Sequence, residues 1–132
     1  MITVENKANY ESMEYDPKVL YIFCHGYFSP KEARFLQMLM KTAPEEIQCY
    51  HWGDMDYGGI QIFLYNEKNI FPNLIPWKMD VPSYKAALEK EKGIKLCSKK
   101  QKKLEALNAG KLEVLKQCIL ENKMEIEQEM LI

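Results

Sequence analysis

His51-Trp52-Gly53-Asp54-Met55-Asp56-Tyr57-Gly58-Gly59 is the stretch on which the fold turns. It begins on the last two residues of a β-rich run, Ile47 to Trp52. It precedes Ile60, Phe63 and Leu64, whose i, i+3, i+4 spacing is that of a buried helical face ending by Pro72. A short apolar strand, an acidic turn and then a helix make a strand-to-helix junction of the kind that builds parallel sheets. In open α/β sheets ligands bind outside the carboxyl ends of the strands, so the two aspartates stand where chemistry is expected.

Three more strands are expected around this one: Ile2 to Val4, Val19 to Cys24 and a weaker run from Leu74 to Met79. Between them lie a short helix over Lys7 to Glu14 and a second helix opened by Ser29-Pro30-Lys31-Glu32. That tetrapeptide is a capping box with proline at the first helical position, and Phe35, Leu36, Leu39 and Met40 are expected to share its apolar face. The alternation predicts an α/β domain of three layers, Rossmann-like, around a mainly parallel four-stranded sheet. Residues 1–82 form this expected core. Residues 83–132 read as a helical C-terminal extension of the same domain, with no further strand. There Ser98 and Gln101 are expected to cap a helix carrying Leu104 and Leu107, Gly110 to break it, and Leu112, Leu115 and Ile119 to form a second stripe.

A chain of 132 residues holds one core. Its 47% apolar and 28% charged composition excludes a disordered polymer, and its formal charge of −1 excludes a global electrostatic argument for nucleic acid. The balance is uneven along the chain. Residues 1–87 carry eight Lys/Arg against eleven Asp/Glu, and the remainder ten Lys against eight Glu. Lys95, Lys99, Lys100, Lys102 and Lys103 crowd together as a candidate nucleic-acid-binding run, although a lysine run on a helix is more often a solvated face. Four cysteines without a C-x-x-C pair fit a reduced, cytoplasmic chain, and neither a signal peptide nor a membrane span is expected.

Glu5 follows the first strand as Asp54 and Asp56 follow the third. In a 2-1-3-4 strand order the three carboxylates converge, and such a cluster repels itself unless a cation is present. Mg²⁺ suits hard oxygen ligands of this kind. The plainer reading makes Asp56 the cap of a helix starting near Gly58.

A glutamate ending strand one with D-x-D-x-x-G ending strand three resembles the toprim domain. Val4-Glu5-Asn6, Trp52-Gly53-Asp54-Met55-Asp56 with Gly59, Lys78-Met79-Asp80 and the closing Ile126-Glu127-Gln128-Glu129 resemble one branch of it. That branch is the C-terminal domain of the nuclease subunit of the Wadjet anti-plasmid defence system, related to the topoisomerase VI A subunit. Asn6 stands where most toprim domains have glycine. The resemblance implies metal-dependent hydrolysis of DNA phosphodiesters. Asp54 and Asp56 would hold Mg²⁺ or Mn²⁺, and Glu5 would act as ligand or general acid/base. It further implies plasmid DNA as substrate, condensin-like defence subunits as partners, and a homodimer formed through regions upstream. With the first strand beginning at Ile2, the chain reads as a detached catalytic domain.

Other candidates have a plain alternative beside the functional one. Asp80 is a ligand or the cap of a helix from Pro82; Glu127 and Glu129 complete a second metal site or are solvated; His25 and His51 transfer protons or pack. Gly26, Gly53 and Gly59 are read as turn glycines at the site. Tyr10, Trp52 and Trp77 are read as core. The rival function is a toprim-like module that serves assembly or nucleic-acid docking without cutting. A receiver-like regulatory domain would also place acids at strand ends.

Overall fold

The computed structural model describes residues 1–132. Four parallel strands, β1 (Ile2–Val4), β2 (Tyr21–Phe23), β3 (Tyr50–Trp52) and β4 (Ile75–Pro76), lie in the order β2-β1-β3-β4. This order meets the condition for the carboxylates to converge, since it makes β1 and β3 neighbours, with Val4 opposite Trp52. β1 has its expected bounds, and the other three strands are shorter than the apolar runs that announced them. Along β4, the N–H groups of Ile75 and of Trp77 just after it donate to the carbonyls of Cys49, just before β3, and His51, so the missing N–H of Pro76 faces away from the ladder on an edge strand. Lys78 then turns the chain through the left-handed region at φ 54°.

Side chains alternate across the sheet as the pleat requires. Ile2, Val4 and Trp52 pack on one face, with Tyr10 and Met13 from α1 (Lys7–Ser12) and its end against them. On the other face Thr3 Oγ1 meets His51 Nδ1 at 2.6 Å, and the His51 ring stands edge-on to Phe63. Phe63 belongs to α3 (Tyr57–Asn69), which shares the larger core with Ala33 and Leu36 of α2 (Pro30–Thr42). Helices therefore cover both faces, giving the three layers.

The Ser29 capping box forms in full, with Glu32 N–H donating to Ser29 Oγ and Ser29 N–H to Glu32. Of the helix's expected apolar face, Leu36 is buried with Ala33, and Leu39 and Met40 pack partly buried against the core, while Phe35 is 64% exposed.

The second half also departs from an all-helical tail. After α4 (Val81–Glu89) comes β5 (Ile94–Lys95), then α5 (Ser98–Ala106). A 3₁₀ turn over Gly110–Leu112 leads into α6 (Glu113–Asn122), and β6 (Met124–Glu125) pairs antiparallel with β5. Two-residue strands carry no periodicity, so nothing in the sequence marks them. Cys97 rather than Ser98 is the N-cap of α5, and no side chain caps it. Leu104, Leu112, Leu115 and Ile119 join the core that holds Ile60 and Phe63. Trp77, expected in the core, is 40% exposed and stands edge-on to Tyr50. All four cysteines are free, and no helix is long and apolar enough to cross a membrane.

Candidate functional site

Glu5 leaves the end of β1 and Asp54 the end of β3, and the two meet directly: the Asp54 N–H donates to Glu5 Oε2 at 3.2 Å. Asp56 is the N-cap of α3, its Oδ1 accepting from Gly59 N–H at 2.7 Å. Asp56 therefore caps the helix with one oxygen and leaves the other free of that bond.

The three acids act on one another. Burial raises the Glu5 carboxyl to about 7, and the charges of Asp54 and Asp56 push the same way. Burial first, then Asp54 and Glu125, lifts Asp56 to about 6. Asp54 is also raised, by burial and by Glu129 and Glu125, although the Gln128 N–H that donates to its Oδ1 at 2.6 Å opposes the rise.

Glycine is required here by crowding rather than by turn geometry. A Cβ on Gly53 would lie 2.5 Å from Glu5 Oε2 and 2.9 Å from His51 Nε2, and one on Gly59 would overlap the Asp54 carbonyl. Of the three glycines read as turn formers, only Gly26 has a positive φ, at 121°. Gly53→Ala is therefore expected to displace the flexible Glu5 carboxylate while the fold survives. Mn²⁺ affinity should fall about tenfold by calorimetry, with little change in the melting point.

The C-terminal segment completes the site, which sequence reasoning did not foresee. Met55 and Ile126 exchange both backbone hydrogen bonds as an isolated antiparallel bridge. That brings Glu125 beside the acidic turn. Its side chain is almost wholly buried, with one oxygen 2.9 Å from Lys100 Nζ and the other without a partner. Gln128, in the closing 3₁₀ turn (Gln128–Leu131), accepts from Asn6 N–H through Oε1 and from Asn9 Nδ2 through its carbonyl. Asn6 itself caps α1, accepting from Ala8 and Asn9, which gives the asparagine after Glu5 a local purpose.

The remaining candidates separate. Asp80 caps α4 through Ser83 N–H, and the helix begins at Val81. Glu129 is exposed but close enough to act on Asp54, whereas Glu127 is half-buried and has no hydrogen bond or ion pair with the three acids. His51 is fully buried and burial lowers it to about 4, so it stays neutral near pH 7. His25 lies 3.9 Å from Glu32, in the β2–α2 connection. Lys95, Lys99, Lys102 and Lys103 are exposed; within the lysine run Lys100 alone forms an ion pair, with Glu125.

The donor set suits a divalent cation: hard oxygens only, each with spare coordination, and mutual repulsion that a cation would relieve. No three His, Cys, Asp or Glu side chains stand close enough to enclose one ion. Ligation by one or two carboxylates with water completing the shell, the Mg²⁺ habit, is what this arrangement accommodates.

Those pKa values carry a stability consequence. A carboxyl raised in the folded state stabilises the fold below its unfolded value, near 4.5, and loses that contribution as pH rises through about 7. Without metal, Glu5→Gln is expected to stabilise the chain at pH 8 by about 2 kcal/mol, and the gain should vanish at pH 4. Thermal melts in EDTA at the two pH values measure it. A variant equally stabilised at both would show that charge is not the cause.

The family described as "Wadjet protein JetD, C-terminal" matches residues 1–132. The Wadjet protein JetD of Bacillus cereus (strain Q1) is 29% identical over 143 residues, a match covering 100% of this chain and 33% of that protein. The chain spans about a third of the length of this curated relative.

Proposed function

Because this chain belongs to the family of Wadjet protein JetD C-terminal domains, we propose that it is a toprim-type domain that hydrolyses DNA phosphodiesters with Mg²⁺ or Mn²⁺. Family membership supports a role in the Wadjet defence system. The nuclease activity, plasmid DNA as its target, condensin-like partner subunits and a homodimer belong to this proposal.

The observation that carries it is the meeting of Glu5 and Asp54 at the carboxyl ends of two adjacent parallel strands, with Asp56 on the same turn. Asp54 and Asp56 would hold the cation, each with one oxygen already fixed by a backbone N–H and one available. A bound divalent ion supplies an activated water and neutralises charge building on the phosphate. Glu5, with a pKa near neutrality, is poised to take up or release a proton there. His51 buttresses this corner as a neutral side chain held by Thr3.

Tyr27 is a poor candidate for an attacking group. Tyr27 is the phenol whose ionisation Glu5 opposes, after burial and Tyr57, so its pKa rises. An attacking phenolate needs the reverse.

Supercoiled plasmid incubated with the chain and Mn²⁺ is expected to be nicked or linearised, and EDTA to stop this. Cleavage that persists in EDTA would overturn metal dependence. Mn²⁺ binding without any cleavage would favour the docking module, a reading to which the lack of three closely grouped ligands also lends weight.

A further inference from the structure

We propose that a pocket formed by Lys78, Lys90, Lys92 and the Ser83 hydroxyl holds a backbone phosphate of the same DNA strand that enters the acidic site. This rests on the nuclease reading and extends it, assigning phosphate contact to residues outside the lysine run at 95–103.

The pocket has a volume of about 160 Å³, and Met130 and Leu131 close one wall. Sites for drug-sized ligands run from about 300 Å³ upward, so this one admits an anionic group rather than a base. No carboxylate lines it. The chain's five ion pairs engage Lys7, His25, Lys100, Lys111 and Lys116, which leaves all three pocket lysines without a counter-charge. Three like charges around one small opening repel, and a phosphodiester entering it removes that repulsion. The helix end beside it is not the attraction, because Asp80 already caps Ser83 N–H.

Position ties the pocket to the acids. The Lys78 ammonium sits 4.8 Å from the centre of the Trp52 ring. Trp52 ends β3 two residues before Asp54, no more than about 8 Å between Cα atoms. The closing 3₁₀ turn joins the two places, with Gln128 N–H donating to Asp54 and Met130 and Leu131 walling the pocket. A DNA strand with one phosphate at Asp54 and Asp56 would pass the same closing turn that walls the lysine pocket. The run at 95–103 has no such enclosure: Lys100 is held by Glu125, and Lys103 lies 5.9 Å from the Tyr57 ring.

The test is the affinity of a labelled DNA duplex for the chain, followed by anisotropy over a salt series with Ca²⁺ replacing Mn²⁺ to prevent cleavage. Two triple variants are compared, Lys78→Gln/Lys90→Gln/Lys92→Gln and Lys99→Gln/Lys102→Gln/Lys103→Gln. The pocket triple is expected to bind about tenfold more weakly and to shallow the salt dependence by about two to three charges, with the second triple much closer to wild type. Equal losses in both triples, no loss in the pocket triple, or no DNA binding by the wild type would overturn the proposal. Tight binding of inorganic phosphate alone, unaffected by DNA, would overturn the DNA strand as the source of the anion. Mn²⁺ calorimetry runs alongside: a wild type that binds no Mn²⁺ defeats the nuclease reading, while normal Mn²⁺ binding with unaltered DNA affinity defeats only the pocket. Should the triple fail to fold, Lys90→Gln at the exposed end of α4 is expected to lose about threefold, and an unchanged affinity there counts against the pocket equally.

Discussion

Asp54→Ala is expected to abolish Mn²⁺ binding in calorimetry and, with it, plasmid cleavage. Asp54 contributes more than a ligand oxygen. Its Oδ1 accepts the Gln128 N–H at 2.6 Å, and a hydrogen bond to a buried carboxylate contributes about 1.5–3 kcal/mol. Alanine therefore also loosens the closing turn, seen as faster amide exchange over residues 126–131. Asp54→Asn separates the two effects. It keeps an oxygen for Gln128, so the turn should hold, while Mn²⁺ affinity drops because the charge is gone. Unchanged metal affinity in both variants would sink the assignment of the site.

Gly59→Ala is expected to be the most damaging single methyl group in the chain. Its Cβ would overlap the Asp54 carbonyl oxygen and lie 2.7 Å from the carbonyl carbon, and backbone cannot swing aside as a side-chain end can. Either the acidic turn or the first turn of α3 must move, and the Gly59 N–H that meets Asp56 moves with it. A loss of about 3 kcal/mol follows, or roughly 10 °C in melting temperature. Gly58→Ala is the control. Its Cβ would meet nothing nearer than 3.6 Å, so it should be neutral or stabilising by up to about 1 kcal/mol through helix propensity. A Gly59 variant that melts like the Gly58 variant would show that the contact relaxes without consequence.

What the chain disclosed before its structure was known is uneven for physical reasons. Local signals were readable: the Ser29-x-x-Glu32 box, Asp56 before α3 and Asp80 before α4 each act on a backbone N–H three residues on, or reciprocally across that span. Parallel strands followed from the β-α alternation, but their order did not; the structure places β1 against β3, the arrangement in which Glu5 and Asp54 meet. The Met55–Ile126 bridge joins residues with no shared pattern, so Glu125 was overlooked in favour of Glu127 and Glu129. Gln128 carries no local signal of its role, because its partners Asn6 and Asp54 lie far away in the sequence. Phe35 misled because a helical stripe records spacing but not how much of the stripe the sheet can cover. Gly53 and Gly59 were recognisable as special, yet the reason, close approach of Glu5 and Asp54, exists only in three dimensions.

The stitching of Gln128 into the site has a consequence for how the molecule is made. Its contacts with Asn6 and Asp54 span 122 and 74 residues, and the one between Asp54 and Glu5 spans 49. Such separations raise contact order, and loop-closure entropy defers them to late in folding. A chain emerging from the ribosome carries all three acids long before it can brace them. Until residue 128 is free to dock, the acidic turn lacks the N–H that fixes Asp54, and the centre stays unassembled during synthesis.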